Sequence, residues 1–196
     1  MSLVGALTPL GKVAPLKWFA SALGYTFAGC IGSSIIGSFC GMIGSYIGRG
    51  PTSIYILALY ALFLAAREKG WIRFKLPQIR RQTEKTWAHD YGFVTAAMMW
   101  GFQLGLGITT YLTHGGFLLL LAASLAFGQP AYGALLITAY WLGRTISVWL
   151  APLFWRSDDL GELLDAILMN RQSYENSVSV GLTWSAILML ISIKAG

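Results

Sequence analysis

Long runs of apolar residues dominate this sequence and restrict what the chain can fold into. The runs are 18–48, 51–66, 91–128, 130–154 and 177–193. A helix needs about 20 mostly apolar residues to cross the hydrocarbon core of a bilayer. Only 11% of the residues are charged, against about 25% in a typical soluble domain. The pattern predicts an all-α integral membrane protein with a single transmembrane domain over residues 1–196 and about five to six transmembrane helices.

Two of the runs are too long for one straight span. A helix over 18–48 would measure about 46 Å, while the hydrocarbon core is about 30 Å thick. This helix either extends beyond the bilayer or breaks near the Gly-Ser-Ser sequence at 32–34. The run 91–128 contains G-L-G-I-T-T-Y-L-T-H-G-G at 105–116. Glycines around a group of hydroxyls predict a discontinuous helix or a tight hairpin there.

The segment 67–90 separates the second and third runs and carries much of the net charge of +6. It holds seven Lys or Arg residues and three acidic residues. Basic residues in short loops mark the cytoplasmic side of a membrane protein. We therefore expect this loop to be cytoplasmic in a bacterial or archaeal inner membrane, and to contact the lipid bilayer and not a nucleic acid.

The two cysteines, Cys30 and Cys40, lie in the first run. On one straight helix, ten residues separate their Cα atoms by about 15 Å, whereas a disulfide needs about 7 Å or less. They could form a catalytic redox pair only if the helix broke between them. The favoured alternative is that both are small residues in a packing interface.

Glycines follow the cysteines at helical spacing. Gly37, Gly41, Gly44 and Gly48 recur at intervals of three and four residues, so they share one face of a helix. Small residues at this spacing allow two helix backbones to approach closely. The pattern predicts a helix-packing surface without any catalytic chemistry.

A second group of polar residues is the candidate substrate pathway. It comprises Thr109, Thr110, Tyr111, Thr113, His114 and Arg144. An arginine in the middle of a span is costly and usually faces the helix bundle or an aqueous cavity, although snorkelling beside Gly143 is an equal alternative. The threonines could instead satisfy backbone groups freed by a helix break, which is the favoured interpretation. Two distant histidines make no metal site, and no cofactor motif occurs, so we expect neither a metal nor a cofactor.

Two stretches resemble the DsbD/CcdA-type cytochrome c biogenesis transmembrane family. One is W-G-F-Q-L-G-L-G-I-T-T-Y at 100–111, and the other runs from Leu121 to Leu153 through G-Q-P-A-Y-G and Y-W-L-G-R-T. The segment 62–77 is similar to the end of that family's third span, and the likeness covers roughly residues 24–154. The resemblance implies thiol-based electron transfer across the membrane to thioredoxin-like partners.

This chain departs from that family at one of its two cysteines. Where the resemblance implies the second cysteine, the sequence has Thr109-Thr110-Tyr111. When residues 24–32 are aligned with the first cysteine-bearing helix of that family, Cys30 matches the first redox cysteine. When residues 24–48 are aligned with the family's second helix, neither cysteine is catalytic. We therefore predict a transport or membrane-complex accessory role, more consistent with a non-enzyme. The alternatives are thiol–disulfide exchange through Cys30 and a structural subunit of a membrane complex that docks through the 30–48 face.

Overall fold

The computed structural model describes residues 14–47, 51–74, 86–107, 115–154 and 171–195. Within these residues the chain is built from helices and turns, which confirms the all-α prediction for this part of the sequence. The helices are α1 (Pro15–Ile47), α2 (Pro51–Glu68), α3 (Trp87–Asp90), α4 (Phe93–Gly105), α5 (Gly116–Phe127), α6 (Pro130–Phe154) and α7 (Arg171–Ala195).

Helix α1 is continuous through its 33 residues. The Gly-Ser-Ser sequence at 32–34 is helical, so of the two sequence expectations for this run the unbroken helix is the correct one. Among the described residues, α1 is the one helix both long and apolar enough to cross a membrane. Shorter apolar helices occupy Gly116–Phe127 and Asn176–Ile191.

Proline and glycine set several helix ends. Pro51 opens α2, where its missing N–H is not needed and its fixed φ suits the first turn. Gly128 ends α5 in the left-handed conformation, with φ 56°, which glycine adopts without the steric penalty of a side chain. Gln129 is then followed by Pro130, the first residue of α6.

The chain divides into two compact units. The first contains α1 up to Ile35, α3, α4 and α6 from Thr138 onward; the second contains the rest of α1, α2, α5, the start of α6 and α7.

Aromatic side chains form the core of the first unit. Its buried residues are Ala22, Tyr25, Ala96, Ala97, Trp100, Trp141 and Val148. The rings of Tyr25 and Trp141 lie 5.0 Å apart. Both indoles of α6 bond to one residue of α1: Trp141 Nε1 donates to the Thr26 carbonyl at 3.0 Å, and Trp149 Nε1 donates to Thr26 Oγ1 at 3.1 Å. These bonds satisfy the indole donors and fix the rotation of α6 against α1 within this unit.

Glycine brings α1 and α4 into backbone contact in the same unit. A Cβ on Gly101 would collide with the Tyr25 carbonyl, and one on Gly105 would collide with the Gly29 carbonyl. A Cβ on Gly32 would lie 2.6 Å from the Phe102 carbonyl oxygen. Ser33 Oγ donates to the Gly105 carbonyl at 3.2 Å. The two helices therefore pack at a distance that no larger residue allows.

The second unit has an aliphatic core. Its buried members are Leu57, Ala61, Leu64, Ala65, Leu119, Ala123, Leu182 and Ala186, from α2, α5 and α7. Ser179 Oγ donates to the Ala65 carbonyl at 3.0 Å and links α7 to α2. Alanine on both helices at this contact lets α2 and α7 pack along their length.

We predict that Gly105→Ala destabilises the protein, because the new methyl group meets the rigid backbone of Gly29 and not a side chain that could rotate away. Overpacking of this kind typically costs about 1–3 kcal/mol. Thermal unfolding in detergent should show a lower midpoint for the variant.

Gly181→Ala is the matched control. Gly181 lies inside α7, and a Cβ added there meets no atom within 4 Å. Alanine should raise helix stability by up to about 1 kcal/mol at an open helical position. Equal midpoints for the two alanine variants would show that the α1–α4 contact tolerates a side chain.

Candidate functional site

The two cysteines are separate free thiols on α1. Because the helix is continuous from Cys30 to Cys40, its rise places their Cα atoms about 15 Å apart, beyond the reach of a disulfide. Cys30 is partly buried and packs against the aromatic core of the first unit. A catalytic role for either cysteine stays a prediction.

The glycines at 37–44 lie against the chain's own backbone in the second unit. A Cβ on Gly37 would collide with the Gly133 carbonyl, and one on Gly41 with the Gln129 carbonyl. One on Gly44 would collide with the Leu125 carbonyl. Each of these residues is buried. Gly48, the fourth glycine of the sequence pattern, lies outside the described residues.

The run 91–128 is interrupted, as the sequence predicts. Helix α4 ends at Gly105, Gly107 has a positive φ of 66°, and α5 begins at Gly116. Five residues of the predicted substrate pathway, Thr109, Thr110, Tyr111, Thr113 and His114, lie outside the described residues. Their role as a substrate pathway stays a prediction.

A buried carboxylate lies at the start of α5, at a residue that was not among the predicted site residues. Glu68 is the last residue of α2, and only 3% of its side chain is exposed. Its Oε1 accepts the Gly115 N–H at 3.0 Å and lies 2.6 Å from Arg67 Nη1. Arg67 Nε also donates to the Phe74 carbonyl at 3.1 Å.

This arrangement places a negative charge at the N-terminus of α5. The free N–H groups and the helix dipole make a helix N-terminus favourable for a carboxylate. The Arg67 guanidinium offsets the cost of burying that charge. Glu68 and Arg67 thus join the end of α2, residues 69–74 and the start of α5 within the second unit. The sequence signal for this role is the position of Glu68 directly after the apolar run 51–66.

Arg144, the remaining residue of the predicted pathway, lies in the middle of α6. It is exposed, as are its neighbours Leu142 and Gly143. The buried phenol of Tyr25 is near enough to interact with its charge. Among the described residues no carboxylate forms an ion pair with it.

Over the described residues the protein is all-helical, and glycines on its helices lie against the backbone of neighbouring segments. Helix α4 ends at Gly105, and α5 begins at Gly116. Two curated proteins are similar to this chain, and both are named methylamine utilization protein MauF. The protein from Paracoccus versutus is 28% identical over 153 residues, covering 75% of this chain and 56% of the relative. The protein from Paracoccus denitrificans is 24% identical over 125 residues, covering 64% of this chain and 45% of the relative.

This chain therefore spans about half the length of the curated relatives it matches. No protein-family profile matches the chain, and no solved structure matches it. The resemblance to the DsbD/CcdA type stays a prediction.

We predict that Glu68→Ala strongly destabilises the second unit, because it removes the acceptor of the Gly115 N–H and leaves Arg67 without its partner. Removing one member of a buried ion pair typically costs about 3–5 kcal/mol. Hydrogen exchange followed by mass spectrometry should show faster exchange in peptides covering Gly115–Leu119. Glu68→Gln keeps a carbonyl acceptor and should show an intermediate effect.

Asp90→Asn is the control for the removal of a carboxylate, because the Asp90 side chain is 49% exposed and its contact is with His89 at the surface. Its exchange pattern should match the unmodified protein. Unchanged exchange at 115–119 in Glu68→Ala would contradict the capping role.

Proposed function

We propose that this chain is a polytopic membrane protein that serves methylamine utilization in an accessory or transport role. One observation carries the membrane assignment: many large apolar side chains face outward, while several short polar side chains lie buried beside the apolar cores. On α1 the stripe Phe19, Leu23, Phe27, Ile31, Ile35 and Phe39 is between 43% and 65% exposed. In water, an exposed apolar stripe this long would favour aggregation, whereas lipid tails solvate it.

The buried polar residues support the same conclusion. Ser21, Ser33, Glu68, Ser124, Thr145 and Ser179 are buried. Several of these hydroxyls donate to backbone carbonyls, for example Ser124 Oγ to Leu120 at 2.8 Å and Ser179 Oγ to Ala65 at 3.0 Å. Small hydroxyl residues inside and large apolar residues outside are typical of helices packed in a bilayer, where no hydrophobic force drives helices together.

Helix lengths fit this assignment. Helices α1, α2, α6 and α7 have 18 to 33 residues, so their lengths fall in or above the range of about 17–25 residues that a membrane span needs. Among the described residues α1 is the one helix that is also apolar enough over that length. Helices α4 and α5 have 13 and 12 residues, about 20 Å each, which is too short to cross alone. Helices α4 and α5 would together form one interrupted membrane element. The basic loop 67–90 would lie on the cytoplasmic side of a bacterial or archaeal inner membrane.

The role in methylamine utilization rests on the similarity to MauF over most of this chain. An accessory or transport role is supported by the Glu68–Arg67 pair beside an interrupted helix. Interrupted helices and buried charges occur together where membrane proteins bind ions or polar solutes. Thiol–disulfide exchange through Cys30 and a purely structural role in a membrane complex are the alternatives.

We expect the chain to restore growth on methylamine to a Paracoccus denitrificans strain that lacks MauF. The chain should also stay in the membrane pellet after alkaline carbonate extraction. The destabilised Gly105→Ala variant is the control for loss of folding, and growth on a carbon source without amine is the control for general fitness. Release by carbonate would overturn the membrane proposal, and absent growth with normal membrane levels would overturn the methylamine role.

We predict that replacing both Cys30 and Cys40 with Ser leaves this growth within about twofold of the unmodified chain, because the two thiols lie about 15 Å apart on one helix. Maleimide labelling in membranes should be the same with and without a prior reducing step. Loss of growth in the Cys30→Ser variant, with Cys40→Ser growing normally, would instead favour thiol exchange through Cys30.

A further inference from the structure

The chain turns sharply after α2, and a glycine sets the direction of the turn. Gly70 has a positive φ of 77°, which glycine adopts without the steric penalty of a side chain. The Gly70 N–H donates to the Arg67 carbonyl at 2.9 Å, and the Trp71 N–H donates to the Ala66 carbonyl at 3.0 Å. This pair of bonds is the Schellman arrangement that ends many helices. It fixes the direction in which residues 71–74 leave the helix.

The segment after the turn displays basic and aromatic side chains together. Lys69 and Arg73 are exposed, and the side chains of Trp71 and Phe74 are 77% and 51% exposed. Lys69 Nζ lies 5.3 Å from the centre of the Trp71 ring, which is a cation–π contact. Arg67 Nε donates to the Phe74 carbonyl at 3.1 Å and so ties the segment back to α2. The basic and aromatic groups are therefore held side by side at the end of the helix.

The apolar surface of α2 continues into this segment. Leu59 is 67% exposed, and Leu62 and Phe63, one turn further along, are also exposed. The rings of Phe63 and Phe74 pack edge to face with 6.1 Å between their centres. Apolar side chains on the helix are thus followed by aromatic rings and then by basic groups. A phospholipid leaflet has the same order along its depth: acyl chains, then the interface that tryptophan favours, then the phosphates.

The charge of the segment favours an anionic lipid surface over a zwitterionic one. Arg67 is already paired with Glu68. Among the described residues, no carboxylate lies within ion-pair distance of Lys69 or Arg73. The sequence 75–85 adds four Lys or Arg residues and one Glu. Each Lys or Arg close to an anionic membrane surface strengthens binding about fivefold.

We propose that segment 69–74 binds the headgroups of anionic phospholipids at the membrane surface. Lys69 and Arg73 contact the lipid phosphates, while Trp71 and Phe74 lie between the headgroups and the acyl chains. Because backbone bonds already fix the turn, little backbone order has to be gained when the lipid binds, which lowers the cost of binding. The inference rests on the membrane assignment of the proposed function.

Native mass spectrometry of the full chain in detergent tests the proposal. The chain is titrated with dioleoyl phosphatidylglycerol, which is anionic, or with dioleoyl phosphatidylcholine, which is zwitterionic. The apparent dissociation constant of the first bound lipid is measured for each. We expect phosphatidylglycerol to bind about tenfold more tightly. This preference should shrink as the salt concentration rises, because salt screens the attraction between exposed charges.

Single substitutions locate the site. Lys69→Gln and Arg73→Gln should each weaken phosphatidylglycerol binding about fivefold, with little change for phosphatidylcholine. Lys69→Arg keeps the charge and should keep the preference. Trp71→Ala should weaken the binding of both lipids, because the ring contacts the interface whatever the headgroup charge. These side chains are all exposed, so the thermal unfolding midpoints of the variants should match that of the unmodified chain.

Lys17→Gln is the matched control. Lys17 is an exposed lysine of α1, so the variant removes the same charge outside the proposed site. Its phosphatidylglycerol binding should stay within about twofold of the unmodified chain, because surface charges more than a Debye length away are largely screened. An equal weakening in Lys17→Gln and Lys69→Gln would show that overall charge binds the lipid, which would overturn the inference.

Three further results would also overturn it: equal binding of the two lipids, displacement of phosphatidylglycerol by inorganic phosphate, or its displacement by a single-stranded RNA oligonucleotide. The second would indicate a site for free phosphate, and the third a nucleic-acid surface. Carbonate extraction is measured on the same chain. A chain that stays in the membrane but binds both lipids equally refutes this inference alone, whereas release by carbonate refutes the proposed function first and this inference with it.

Discussion

Backbone-to-backbone packing against α1 recurs in both units. In the first unit, Gly29 and Gly32 of α1 meet Gly105 and Phe102 of α4. In the second, Gly37, Gly41 and Gly44 meet the segment 125–133. Glycine inside a helix costs about 0.5–1 kcal/mol relative to alanine. The many close contacts between two backbones offset that cost, because dispersion attraction grows with every pair of atoms brought to contact distance.

Close packing leaves little room for polar side chains, so most of the buried ones are short, and several of them bond to the backbone of another helix. Thr26 accepts two indole donors in the first unit, and Ser33 bonds to a helix-end carbonyl. Glu68 is the exception, a charged group buried in the second unit. It is stable there because the Gly115 N–H and the Arg67 guanidinium both bond to it.

Much of the helical framework could be predicted from the sequence. The apolar runs located α1, α2 and α6 to within a few residues, and Pro51 and Pro130 marked two helix starts. Helix α7 begins at Arg171, earlier than the predicted run 177–193. The glycines around 105–116 indicated the interruption between α4 and α5. The role of Glu68 could not be predicted, because its partner Gly115 is 47 residues away. Sequence spacing gives the face of a helix but not the identity of a distant partner.

The sequence by itself determined that the chain is helical, that the cysteines of a straight α1 lie too far apart to pair, and that glycines share a face of that helix. These follow from local rules of composition and of the 3.6-residue turn. Tertiary structure alone decided that α1 is unbroken, that Glu68 caps α5, and that Arg144 and Gly143 stay uncovered on α6. Those outcomes depend on which surfaces meet after the chain folds, which a local pattern does not specify.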